Sequence, residues 1–266
     1  MRLATWNVNS LRMRLDRVLT WIQAADVDVL AMQETKVGDA TFPGMAFHEA
    51  GYEVVHHGLD QWNGVAIASR VGISDAAAGF DGMPRWGDPP RAEARALGAT
   101  CGGVRVWSLY VPNGRALGDP HYEYKLGWLA ALASVGRGWL AADPAAPIVL
   151  CGDFNIAPTD DDVWDPAFFA DKTHTSPAER AAFAAVEAAG FRDLVRPHAP
   201  GPGVYTYWDY QQLRFPRKEG MRIDFALGSP VVADRVTAAH IEREQRKGKA
   251  PSDHAPVVVD FMGPPS

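Results

Sequence analysis

The sequence predicts a single α/β domain in which strands outnumber helices. Three observations predict it: a strand-like run, a helix-spaced run and a second strand-like run open the chain; apolar segments of strand length recur to its far end; and the helical patterns are few and separated. With 266 residues, 47% of them hydrophobic and 22% charged, the chain can bury a full core.

Residues 2–8 read as a short strand. Leu11, Leu15, Val18, Leu19 and Ile22 then recur at helical spacing before residues 27–32 resume an apolar strand. Further strand candidates lie at 52–56, 64–69, 94–100, 104–111, 147–151, 221–227, 231–240 and 255–261. Helical patterns occupy 122–140 and 178–189. The second carries its own punctuation: Thr175 or Ser176 can cap it, Pro177 suits its first turn and Gly190 stops it. Loops rich in Gly, Pro and Asp lie at 80–91, 113–120, 157–166 and 197–203. None has the length or bias of an interdomain linker, so one domain is expected over 1–262, with a short tail at 263–266.

A net charge of −6 argues against a protein that coats nucleic acid through bulk charge, so an anionic partner must be met locally. Basic groupings stand at Arg12, Arg14 and Arg17; Arg85, Arg91 and Arg95; Arg214, Arg217, Lys218 and Arg222; and Arg243, Arg246, Lys247 and Lys249. Such groupings are more often solvated faces than binding sites. The first residues lack a basic region followed by an apolar run, and no segment has the apolar length of a membrane span; a cytoplasmic protein with no membrane partner is expected. Cys101 and Cys151 lie in strand-like surroundings without metal spacing and read as buried, reduced thiols.

Several expected strands end in a polar residue that packing does not require: Asn7, Glu34, Tyr110, Asp153, Asn155, Asp224 and the pair Asp253 and His254. If those ends converge, they assemble carboxylates, amides, a phenol and an imidazole, with no thiol ligand set. Oxygen donors of this kind suit a hard divalent cation, usually Mg2+. Glu34 leaves a strand where a metal ligand fits, although a charged surface turn is the more ordinary reading. Asp153 and Asn155 follow Gly152 at a bend, where a capping or Asx turn is an even match for function. Asp224 interrupts an apolar run and needs a partner; pairing with His254 would orient the imidazole and favour its cation, which suits a phosphate oxygen. Asp160, Asp161 and Asp162 read as an acidic helix start after Thr159 rather than a calcium loop. His56 and His57, adjacent on a strand, point to opposite faces and read as a strand end.

Taken in order, TWNVNSLR around Asn7 and Asn9, QETK at 33–36, YVPNG at 110–114, GDFN at 152–155, GMRID at 220–224 and SDHAP at 252–256 resemble the successive motifs of the exonuclease III family of apurinic/apyrimidinic endonucleases. That family lies within the endonuclease, exonuclease and phosphatase superfamily. The resemblance implies a four-layered α/β sandwich, two packed mixed β-sheets flanked by helices. It implies a Mg2+-dependent enzyme, with Mn2+ as substitute, in which Glu34 is the principal metal ligand and Asn7, Asn9 and Asp253 stand near the metal or its water. It further implies that Asp153 orients or deprotonates the attacking water, that Asn155 holds that network, and that Tyr110 and the Asp224/His254 pair face the scissile phosphate. Tyr207, Trp208, Met221 and Ile223 match positions of an apolar sugar pocket, and Arg115 and Arg214 complete the expected substrate contacts. Asn9 stands where some relatives carry aspartate, and Met221 replaces bulkier or differently branched residues.

The implied function is a DNA-repair phosphodiesterase that hydrolyses the backbone 5′ to abasic sites, with 3′ to 5′ exonuclease and 3′ end-cleaning activity. Its partner would be double-stranded DNA with abasic sites or blocked 3′ ends, met by a monomer that is nucleoid-associated if the source is bacterial. Two other readings use the same residues. A superfamily phosphatase acting on a non-DNA substrate would share the metal and histidine chemistry, and a DNA-damage-binding module could keep the motifs without catalysis.

Overall fold

Arg2–Asn7 (β1) is buried from Leu3 onward because both of its faces are covered, and most central strands repeat that pattern. The computed structural model describes residues 1–262; the expected tail at 263–266 lies outside the described residues. After β1 come α1 (Leu11–Ala24), β2 (Val29–Gln33), α2 (Gly44–Glu49), β3 (Glu53–His57), β4 (Val65–Ser69), β5 (Ser74–Ala78), β6 (Ala96–Cys101) and β7 (Val104–Tyr110). Next are α3 (Pro120–Ala142), β8 (Ile148–Asp153), α4 (Pro177–Ala188), β9 (Arg192–Asp193), β10 (Asp224–Gly228), α5 (Pro230–Ala233), β11 (Val236–Ile241) and β12 (Val257–Phe261).

The strands form two sheets, in the orders β11-β12-β1-β2-β4-β3 and β5-β6-β7-β8-β10-β9. Each has one parallel pair near its centre, β1 with β2 and β7 with β8, flanked by antiparallel neighbours. Alternation along the strands sorts side chains into three apolar layers. Leu3, Val29, Ala31, Val65 and Ile67 of the first sheet meet Ala99, Val106, Val149 and Cys151 of the second in the middle. Trp6 and Met32 face outward onto Val18, Trp21 and Ile22 of α1, while Leu109, Leu150 and Phe225 face outward onto Trp128 and Leu132 of α3 and Phe183 of α4. The result is a four-layered sandwich, helix, sheet, sheet, helix. Each fully buried Leu, Ile or Phe in it contributes about 1.5–3 kcal/mol.

Helix starts follow local chemistry. The Asp119 side chain accepts from His121 N ahead of α3, and Ser176, not Thr175, closes a capping box with Glu179 ahead of α4. Two expectations are corrected, and one strand was not expected. Residues 231–240 do not form one strand, because Ser229 and Pro230 start the single turn of α5 before β11 begins. The strand expected at 221–227 begins only at Asp224, since Met221 forms an isolated bridge with Tyr207. β5 had no sequence signal, being an edge strand exposed at every position.

Candidate active site

Strand direction decides where each polar end arrives. β1, β2, β7 and β8 run toward one rim of the sandwich and deliver Asn7, Glu34, Tyr110 and Asp153 there. β10 and β12 run the opposite way, so Asp224 at the start of β10 and His254 ahead of β12 reach the same rim. Register aligns them: Asp153 lies opposite both Tyr110 and Asp224.

Asn7 bridges the sheets, its Nδ2 donating to Glu34 Oε1 at 2.8 Å and to Asp153 Oδ2 at 2.9 Å. The imidazole of His254 bonds through Nδ1 to Asp224 Oδ2 at 2.8 Å, while its Nε2 stands 3.8 Å from Asp153 Oδ2. Thr206 Oγ1 donates to the same Asp224 oxygen at 2.6 Å, so the partner of the histidine is itself fixed. The bend that presents Asp153 and Asn155 requires glycine: Gly152 has φ 141, and a Cβ there would stand 1.9 Å from Leu109 O. Glu34 and Asn155 both have φ 51, a left-handed backbone uncommon outside glycine.

Electrostatics divide the group. Burial pushes Asp153 up to about 7, opposed by His254 and reinforced by the Asp224 and Glu34 carboxylates. For His254 burial works against the cation, but Asp224 and Asp153 outweigh it and raise the imidazole to about 10. Burial also opposes ionisation of Glu34, yet the Lys36 ammonium and the Asn7 amide hold it below the usual carboxylate range. Tyr110 is driven well above its ordinary value by burial and by the Glu34 carboxylate. Glu34, Asp153 and His254 each present a ligand atom, all within 4.8 Å of one another. With His254 bonded to Asp224 and cationic, the oxygens are the donors left for a cation, a hard set that fits a hard ion.

The expected metal residues fall into two groups. Asn7 and Glu34 sit with Asp153, whereas Asn9 Nδ2 bonds Asp253 Oδ1 at 3.0 Å beside them. Lys36 links the groups, reaching Glu34 Oε2 at 2.8 Å and Asn9 Oδ1 at 2.5 Å. Asn155 lies beneath Asp153: its N–H donates to Asp153 Oδ1 at 2.9 Å, and its Oδ1 faces Asn113 Nδ2 at 3.2 Å and His174 Nε2 at 3.1 Å. Arg95 stands over the Tyr110 ring at 4.8 Å.

An aromatic cavity of about 220 Å³ adjoins this cluster, lined among others by Trp164, Phe168, Phe169, Tyr207, Arg214 and Met221. Tyr207 joins the two, its ring centroid 4.9 Å from that of His254. Trp208 and Ile223, expected in the same pocket, do not line it. Trp208 is 1% exposed and packs edge-on to Tyr205 and Phe215, because neighbours on extended chain point opposite ways. Ile223 packs beneath Met221 in the adjoining core. Arg214 pairs with Glu219 and lies 4.9 Å over the rings of Trp164 and Phe168. Arg115 stands instead 5.9 Å over Trp86, outside the cavity lining.

Sequence reasoning missed Lys36, Asn113, His174 and the aromatics Trp164, Phe168 and Phe169. Lys36 and Asn113 lie within quoted motifs at strand exits and carried the same signal as Glu34. The others sit in the long connection between β8 and α4, where only the fold brings them in.

The profile of the Endonuclease/Exonuclease/phosphatase family matches residues 4–254. The chain is 30% identical over 262 residues to an exodeoxyribonuclease of Bacillus subtilis (strain 168), covering 97% of this chain and 98% of the relative. Among solved structures, a 3′ phosphatase, NExo, from Neisseria bound to product DNA hairpin superposes with TM-score 0.93 at 38% identity, covering 98% of this chain and 99% of that one. An AP endonuclease from Archaeoglobus fulgidus gives 0.91 at 35%, with coverage of 98% and 99%.

Proposed function

Because the chain belongs to the endonuclease/exonuclease/phosphatase family, we propose that it is a DNA-repair phosphodiesterase of the exonuclease III type, hydrolysing the backbone 5′ to abasic sites and working on the 3′ ends of duplex DNA. The observation that carries this reading is the junction at Tyr207, where an aromatic cavity opens beside a cationic imidazole and a buried carboxylate pair. A sugar without a base can enter such a cavity, whereas an intact nucleotide must also unstack and house its base.

In this reading Asp153, whose carboxyl is raised to about 7, accepts the proton of the attacking water. His254 donates from its cationic ring to a nonbridging phosphate oxygen, with Asp224 fixing the ring. Asn7 holds Glu34 and Asp153 at a set spacing across the sheets, and the Asn155 N–H aims Asp153. Glu34 would hold Mg2+, with Mn2+ as substitute, and Asn9 and Asp253 would serve its surrounding water. Bound there, such a cation would supply positive charge for the phosphate and the departing 3′ oxygen. Arg214 would lie along the sugar from the cavity wall, and Arg115 along the flanking strand.

The partner is duplex DNA with an abasic site or a blocked 3′ end, bound by a monomer working in the cytoplasm or on a bacterial nucleoid. Among the described residues no helix is long and apolar enough to cross a membrane. The test uses end-labelled duplexes carrying one abasic-site analogue or a 3′ phosphate, with Mg2+ and with chelator, beside inositol phosphates and sphingomyelin. Incision 5′ to the lesion or release of the 3′ phosphate, in metal alone, supports the proposal. Turnover confined to the non-DNA substrates, or binding without cleavage, overturns it.

A further inference from the structure

α3 carries one charge into the core. Lys125 is 0% exposed, and its ammonium gives its three hydrogens to Glu179 Oε1 at 2.5 Å, Asn155 O at 2.6 Å and Asn113 O at 3.1 Å. Glu179, equally buried, accepts from Thr173 Oγ1 at 2.6 Å and His174 N at 2.9 Å, while its other oxygen closes the cap on Ser176. Removing two ions from water offsets most of their attraction, and apolar residues of the same volume often stabilise a core as well or better. Stability is therefore a weak reason for this pair.

Its contacts give a stronger one. Both carbonyls held by Lys125 belong to residues whose side chains reach the site, since Asn113 and His174 converge on Asn155 Oδ1 and the Asn155 N–H holds Asp153. Asn155 adopts φ 51, in the left-handed region that Asn tolerates better than most residues, and the ammonium on its carbonyl holds the peptide that follows.

We propose that Lys125, with Glu179 as counter-ion, is a positioning residue for phosphodiester hydrolysis: it clamps the Asn155 and Asn113 carbonyls so that the Asn155 amide keeps Asp153 aimed at the attacking water. This rests on the hydrolytic reading above.

Lys125→Met alone leaves Glu179 as a buried unpaired charge, so the test variant is Lys125→Met/Glu179→Gln, which removes both charges and keeps an acceptor for the Ser176 cap. Wild type and variant are assayed on the abasic-analogue duplex with Mg2+, with DNA affinity measured separately. The variant is expected to lose about tenfold or more in kcat while KM and DNA affinity stay within about twofold. Adding it to Asp153→Asn is expected to cost less than about threefold further, because the clamp acts through the aim of the Asp153 carboxylate, which that substitution has already removed. A purely structural pair would lower the melting temperature, leave kcat of the folded enzyme within about twofold, or let the two losses multiply; either kinetic result overturns the proposal. If this variant does not fold, Lys125→Gln/Glu179→Gln is expected to show the same kcat loss at unchanged KM, and a wild-type kcat there overturns the role. A wild type that cleaves no duplex removes the hydrolytic reading and this inference with it. A cleaving wild type beside an unimpaired variant removes only the role of Lys125.

Discussion

Asp224→Asn keeps the size of the side chain and removes the charge that holds His254 as a cation. The rise of the imidazole from 6.5 to about 10 is a preference for the cation of about 5 kcal/mol, net of the cost of burial. Asp224, bonded at 2.8 Å, is the largest of the groups that raise it, with Asp153 and Asp253 contributing the remainder. Roughly half, about 2–3 kcal/mol, is assigned to Asp224, the range of one hydrogen bond between charged groups. A loss of that size brings the imidazole from about 10 down to about 8, so the ring stays mostly cationic at neutral pH, where the rate falls by less than about threefold, whereas at about pH 9 it falls by about tenfold if the cation stabilises the transition state. The sign for pH follows. A histidine with a raised value is cationic until the pH climbs through about 10, so wild-type activity should persist into alkali. In Asp224→Asn that alkaline limb moves down toward neutrality. Single-turnover cleavage across pH gives the rate, and proton NMR titration of the His254 ring reports its charge independently of activity. A variant that keeps the wild-type rate at about pH 9, where its ring has lost the proton, would show that the cation is not needed.

Three further outcomes are expected. Asp153→Asn retains DNA affinity, measured by anisotropy, yet loses about a hundredfold or more in incision; near-normal turnover would remove Asp153 from water activation. Met221→Ala deletes a residue only 7% exposed from the cavity wall, costs about 2–5 kcal/mol of stability by thermal melt, and lowers the rate ratio of abasic over intact duplex. An unchanged ratio in the folded variant would place selectivity elsewhere. In chelator, saturating Mg2+ added back raises the melting temperature by a few degrees, and Glu34→Gln abolishes that rise while Asp253→Asn only reduces it; equal loss in both would make Asp253 a direct ligand.

Much of the site was legible because its residues sit where strands stop. Asn7, Glu34, Tyr110 and Asp153 each break an apolar run at its end, and Asp224 interrupts one, a signal that needs no knowledge of partners. The grouping was not legible. Nothing in TWNVNS says that Asn7 bridges to Asp153 while Asn9, two residues on, turns to Asp253 and Lys36. Nor does YTYW reveal that Tyr207 faces the cavity and Trp208 the core, since that depends on the bridge between Tyr207 and Met221. Lys125 looks like any helix lysine until α3 packs against the loop ahead of α4. Both sheets could be expected from strand count and motif order, but β5, with no buried position, left no pattern to find.

The pairing of β1 with β12 sets Arg2 opposite Asp260 and leaves β12 between β11 and β1, inside the first sheet. A nascent chain therefore holds β1 without its neighbour until nearly everything between them has been synthesised, and loop closure over that distance is slow. His254 enters the rim only as β12 docks, so Glu34 and Asp153 can gather without their cation but not with it. A chain cut short before β12 is therefore expected to gather its carboxylates at the rim without the imidazole that answers their charge.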